Sequence, residues 1–211
     1  MSSAKLQGGA SGTGSVTLLA PNTNNTDVLT LPDVAADTLV GAAATQTLTN
    51  KTLGSGLVAG ASYLTSGTAV ASTSGTSIDF TSIPSWVKRI TVMFNGVSTN
   101  GTSSVLIQVG SGSVTASGYL GSTTGYNAAN FSTGFSDGSS NAAATRYGSV
   151  VLALLGSNTW TAYGGFGSGN LAANTVIGGS IALGGTLDRV RITTVNGTDT
   201  FDAGSINILW E

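Results

Sequence analysis

The sequence contains no cysteine and no histidine. That absence removes disulfides, thiol nucleophiles, the usual nucleophile–base pairs and any metal site built on Cys or His ligands. Charge is nearly as scarce. Charged residues make up 8% of the 211-residue chain, against about a quarter in an ordinary soluble protein. The net charge is −2, and the basic residues are scattered, with Lys88-Arg89 and Arg189/Arg191 the closest sets. Nucleic-acid binding requires clustered Lys and Arg, so no nucleic-acid partner is expected. The longest apolar run, residues 150–155, is far too short to span a bilayer, and no membrane insertion is expected. Residues 1–6 lead into Gly, Ser and Thr rather than an apolar run, so no secretory signal is expected. Helix formers other than Ala and Leu are few, and Glu211 is the only Glu; residues 139–146 are the one helical candidate.

What remains is rich in Gly, Ser, Thr, Ala and Asn, with frequent Val and Ile. Disorder goes with high charge and few β-branched residues. The mixture here suits β-strands joined by tight turns, and an all-β fold is expected.

The aromatic residues divide the chain. None precedes Tyr63, and a segment of that size without aromatics cannot easily bury a core of its own. Within residues 1–62 the pair Thr-Leu recurs at Thr17-Leu18, Thr30-Leu31, Thr38-Leu39, Thr47-Leu48 and Thr52-Leu53, with Pro21-Asn22, Asn24-Asn25, Pro32-Asp33 and Asn50-Lys51 between. The reading is short strands separated by corners, each offering aliphatic side chains to an interior shared with other copies. An intertwined β shaft is expected over 1–62, trimeric because strands that pair between chains require rotational closure and a threefold axis is a common solution. A flexible Gly/Ser linker is the alternative, but it gives no reason for a Leu at each strand position. Gly54, Gly56 and Gly60 mark the junction at residues 53–61.

From Tyr63 the chain reads as a compact head, residues 63–211. Residues 86–94 alternate, with Ile90, Val92 and Phe94 on one face. Asn95-Gly96 and Asn100-Gly101 are turn signals. Further strands are expected over 105–109, 147–155, 158–166 and 174–183, with a final hairpin of 187–195 and 200–210 around Asn196-Gly197-Thr198. Many short strands at this spacing suggest a β-sandwich of jelly-roll type. The expected core is Ile83, Trp86, Ile90, Val92, Phe94, Ile107, Val151, Leu155, Val190, Ile192, Ile206 and Ile208.

Several stretches resemble bacteriophage tail fibre proteins. The run Leu39-Val40-Gly41 followed by residues 45–53, Thr-Gln-Thr-Leu-Thr-Asn-Lys-Thr-Leu, is similar to a segment common in such fibres, as is the opening from Leu6-Gln7-Gly8-Gly9 to Leu31-Pro32-Asp33. Residues 80–94 resemble the start of a fibre head domain, and residues 187–210 its end. The resemblance implies a homotrimer, an N-terminal end attached to the phage tail or another virion protein, and a distal head that meets a host surface glycan or protein. Many fibres have a longer N-terminal anchor. Attachment here is expected through residues 1–9, or the protein sits elsewhere on the particle, on capsid or neck, as a decoration fibre.

Chemistry is hard to find. Glycan-cleaving spikes need two carboxylates at a set separation. The head offers Asp79, Asp137, Asp188, Asp199, Asp202 and Glu211, of which Asp188, Asp199 and Asp202 could meet across the last hairpin. Arg189 and Arg191 share that strand, and ion pairing is the preferred reading. Gly8–Gly14 and residues 164–169 are glycine-rich but lack the Lys and strand-to-helix context of a phosphate loop. A calcium site from Asp137, Asp199 or Asp202 would need six to eight oxygens, and there is no dense Asp cluster; no cofactor is expected, and no enzymatic activity. The best ligand surface is residues 118–146, where Tyr119, Tyr126, Asn127, Asn130, Phe131 and Asp137 stand among Gly and Ser, joined by Trp160 and Tyr163. Aromatic faces flanked by amides and carboxylates suit sugar rings, and loops on a rigid scaffold commonly carry binding. The opposing reading puts these aromatics in the core or a trimer interface. Tyr126→Ala and Asn130→Ala are the substitutions expected to weaken adhesion without unfolding the protein.

Overall fold

The computed structural model describes residues 64–125 and 127–211. The shaft expected over 1–62 and the junction at 53–61 lie outside the described residues, as does Tyr126.

The described residues form strands and turns with no helix. In chain order the strands are β1 (Thr65–Ser66), β2 (Val70–Ala71), β3 (Ser77–Phe80), β4 (Arg89–Thr99), β5 (Val105–Ser111), β6 (Ser113–Val114), β7 (Leu120–Thr124), β8 (Ala129–Asn130), β9 (Phe135–Ser136), β10 (Arg146–Gly156), β11 (Thr159–Ser168), β12 (Asn174–Ala182), β13 (Arg189–Thr194) and β14 (Phe201–Trp210). They make two antiparallel sheets. One has nine strands in the order β1-β14-β4-β10-β11-β12-β7-β8, with β2 also on β14; the other has five, in the order β3-β13-β5-β6, with β9 also on β5.

Alternation explains which residues go inside. Ile90, Val92 and Phe94 on β4 align with Ile206 and Ile208 on β14 and with Val150 and Leu152 on β10. From the smaller sheet, Val105, Ile107 and Val109 meet Val190 and Ile192. All belong to one hydrophobic cluster that joins the two sheets. Phe94 and Phe166 meet edge to face with centroids 4.6 Å apart. Each such fully buried side chain contributes about 1.5–3 kcal/mol relative to exposure.

Three expected core residues lie elsewhere. Trp86 is 51% exposed, because the turn closed by Val87 N–H to Pro84 O at 3.1 Å points Val87 inward instead. On β10 the even positions Val150 and Leu152 are buried, so Val151 is only half-buried and Leu155 is 76% exposed. A one-residue slip in a strand exchanges its faces, and the run Val-Val-Leu-Ala-Leu-Leu has no alternation to choose between them. The expected helix at 139–146 is absent. The Asn141 side chain accepts from Ala143 N–H at 2.9 Å and its carbonyl from Ala144 N–H at 3.1 Å, a local turn that competes with helix, and Arg146 already belongs to β10.

Asn95-Gly96 is not a turn. It is a bulge inside β4: Tyr147 pairs with Asn95 and Arg146 with Val97, leaving Gly96 without an opposite residue at φ 67°. The bulge needs the same left-handed glycine that a hairpin turn would.

The expected final hairpin also differs. β13 and β14 are in different sheets, and residues 195–200 cross between them. Residues 100–104, between β4 and β5, make the same crossing. The two corners are tied together: Asn100 N–H donates to Thr200 O at 2.9 Å, Thr200 N–H to Asn100 Oδ1 at 2.8 Å, and Ser103 N–H to Asp199 Oδ2 at 2.8 Å. Asn196 and Ser103 hold the Asp199 carboxyl below its ordinary value.

Candidate functional site

The segment from Gly118 to Arg146 runs from the nine-stranded sheet to the smaller one and back. Its aromatics anchor it. Tyr119 is 1% exposed; its hydroxyl accepts from Val109 N–H at 2.8 Å and donates to Thr115 O at 2.9 Å. It thereby fills the gap on the edge of β5 between β9, which pairs with Leu106 and Ile107, and β6, which pairs with Gly110 and Ser111. Burial pushes the phenol up to about 12. Phe135 lies between the rings of Tyr119 and Phe131, edge to face with each, at 5.0 and 5.8 Å. Phe131 lies across the paired glycines Gly121 and Gly179; a Cβ on either would press into its ring.

Asp137 is the second anchor. It pairs with Arg146, and both side chains are almost fully buried. Its Oδ1 accepts from Val105 N–H at 3.0 Å and Ser139 N–H at 3.1 Å. Burial pushes this carboxyl up, against the pull of Arg146 and the two backbone N–H groups. Beside the pair is a cavity of about 20 Å³, room for one water. A carboxylate so enclosed holds the loop and reaches no substrate-sized ligand.

The expected site residues therefore separate. Tyr119, Phe131, Asp137 and Trp160 are buried, while Asn127 and Asn130 are exposed. Tyr163 is 72% exposed but points outward from β11 in the nine-stranded sheet, where it pairs with Val151 and Gly178. Trp160 points the other way, into the cluster.

Asn127, Asn130 and Phe131 do come together, along a depression of about 440 Å³ between β5 and residues 127–140, completed by Ser132, Thr133 and Ser136. A second depression of about 350 Å³ lies over the outward residues of β3, β13 and β5, among them Ser77, Thr193 and Gln108. Register explains that row, since Thr193 faces both Ser77 and Leu106 while Arg191 faces both Asp79 and Gln108. Leu106, Thr133 and Val195 line both depressions, which are therefore adjoining. Gln108 Nε2 donates to Thr133 O at 2.7 Å and fixes that shared wall.

Among the described residues, Arg191 is the one charged side chain lining either depression. It is neutralised by a bidentate pair with Asp79, at 2.6 and 2.9 Å, which holds the guanidinium above its ordinary value. The other carboxylates are dispersed. Asp188 bonds Arg189 and the Gly112 N–H and is held low by the former, and Asp202 accepts from Ser98. No group of three or more acidic residues that could hold a metal occurs among the described residues.

Leu106, Gln108, Thr193 and Val195 were not legible as lining. One signal was present: a Gln at the even position of the otherwise apolar strand Val105-Leu-Ile-Gln-Val109 marks the even set as facing away from the inter-sheet cluster, though Leu106 and Gln108 are both buried on their own side.

Comparison of the chain with protein-family models, with curated proteins and with solved structures gave no match.

Proposed function

We propose that the chain is a structural component of a bacteriophage virion: a homotrimeric tail fibre that adheres to the host-cell surface through its C-terminal head. In this reading residues 1–62 form an intertwined β shaft held to the phage tail or another virion protein by the first few residues. The head is a β-sandwich of jelly-roll type, and binding, not catalysis, is its task. It uses no cofactor, contacts no nucleic acid and inserts into no membrane.

The observation that carries adhesion is the pair of adjoining depressions of about 440 and 350 Å³, set against β5 and lined by hydrogen-bonding and apolar side chains, with Arg191 the one charged side chain among the described residues. The size is that of a ligand site, and the scaffold is pre-organised, so little ordering cost opposes binding. Among the described residues the lining offers no free carboxylate, thiol or imidazole for bond cleavage. Three heads on each fibre, and several fibres on each particle, raise avidity by about 10²–10⁴ where the heads engage together, so weak single sites suffice. Support for the virion assignment comes from the fibre-like stretch Thr-Leu-Thr-Asn-Lys-Thr-Leu at residues 47–53.

Immunogold labelling of intact particles with antibody to the head tests the location. Label at the tail fibres is expected, and excess purified chain is expected to slow adsorption of the particles to host cells. Label confined to capsid or neck, with adsorption unchanged, replaces the tail fibre by a decoration fibre.

A further inference from the structure

We propose that the two adjoining depressions form one binding site for a neutral oligosaccharide, with one sugar unit in each lobe and the shared wall of Leu106, Thr133 and Val195 beneath the linkage. This rests on the adhesion reading above and names the ligand class of that site.

Charge comes first. Arg191, the one charged residue of the lining among the described residues, is engaged twice by Asp79. A uronic acid, sialic acid or phosphorylated glycan would lose water from its anion and find no free cation in return, and a basic peptide would find no free carboxylate. An ion moved out of water without a partner is strongly disfavoured. An uncharged ligand meets no such barrier.

Hydrogen bonding is next. A sugar hydroxyl both donates and accepts, and so do Ser, Thr and Asn side chains. Asn130, Ser132 and Thr133 make no side-chain hydrogen bond among the described residues, so their groups are open to a ligand. The Thr133 carbonyl is taken by Gln108, which orients the residue and leaves its hydroxyl available. An apolar contact completes the set: Val195 is 56% exposed and lines both lobes. It gives the C–H face of a sugar ring a surface to cover while the ring's hydroxyls reach the polar rim.

Extent follows from the division into two lobes. Each is large enough for a small ligand, and a ligand confined to one would leave half the polar lining facing water. A chain of at least two linked units reaches both.

The test uses the full chain and a panel of immobilised oligosaccharides, neutral hexose and N-acetylhexosamine chains beside uronic-acid, sialylated and phosphorylated ones. Binding to neutral members is expected, with little change between low and high salt. Asn130→Ala and Ser132→Ala, both surface substitutions with separate chances of folding, are each expected to weaken it at least tenfold, and Tyr163→Ala, at a residue that lines neither depression, to leave it unchanged. Binding to acidic members alone, lost in salt, overturns the proposal and leaves adhesion standing. So does loss of binding in Tyr163→Ala with Asn130→Ala unaffected. Failure to bind any glycan while the chain still blocks particle adsorption overturns the proposal in favour of a protein receptor; failure to do either removes the adhesion reading as well.

Discussion

Tyr119 shows how one side chain can close a sheet edge. Its hydroxyl stands where a neighbouring strand would offer a backbone partner to Val109. Tyr119→Phe keeps the ring against Phe135 but leaves the Val109 N–H and the Thr115 carbonyl unpaired inside. The expected cost is about 1–3 kcal/mol, read as a lower urea midpoint at neutral pH. The same residue sets an alkaline limit. Its folded value of about 12 exceeds the unfolded phenol's value near 10. The stabilising difference is whole below about pH 10 and is lost as pH rises towards 12, amounting to about 2–3 kcal/mol. In Tyr119→Phe this component of the decline is expected to vanish, and an undiminished decline would assign it to other groups.

Asp137 illustrates what residue types alone conceal. In a Gly- and Ser-rich segment it reads as an exposed ligand group, and the fold instead buries it against Arg146. The signal was there in a different form: Arg146 is the only basic residue between Arg89 and Arg189. A lone cation nine residues from a lone anion in a nearly uncharged stretch is better read as a pair than as a ligand.

At the scale of elements, alternation was legible wherever it was strong. Ile90, Val92 and Phe94 take the faces their spacing dictates, and β10, β11, β12 and β14 lie within a few residues of expectation. The failures share a cause, in that distant partners decide them. Asn-Gly asks for a left-handed backbone whether it ends a strand or bulges within one, and at residues 95–96 the answer comes from β10 and β14 on either side. At 196–197 the dipeptide does turn the chain, but into the other sheet, held there by Asp199 and Asn100. No local pattern distinguishes a hairpin from a crossing between sheets.

The bulge yields a stability prediction. Gly204 on β14 has φ 92° and lies against the Gly96 carbonyl, so that a Cβ there would collide with backbone. Gly204→Ala is expected to destabilise by about 1–3 kcal/mol. A Cβ on Gly184 would meet nothing within 4 Å, and Gly184→Ala is expected to be near neutral. Equal denaturation midpoints for the two variants would mean that the bulge tolerates a side chain.

For the molecule as a whole, the shortage of charge becomes intelligible if the chain works in several copies. Subunits with few charges have little like-charge repulsion to overcome on close association, and the ion pairs among the described residues, Arg89–Glu211, Arg146–Asp137, Arg189–Asp188 and Arg191–Asp79, are made within one chain. In the proposed reading, residues 1–62, with no aromatic among them, would share one interior between copies. The proposed adhesion by shallow neutral sites would likewise depend on several heads acting together. Multiplicity is thus the claim on which the proposed shaft and head both rest. Sedimentation equilibrium of the full chain at high dilution tests it directly: a single species of three times the 20.8 kDa chain mass is predicted, and a stable species of one chain mass would contradict it.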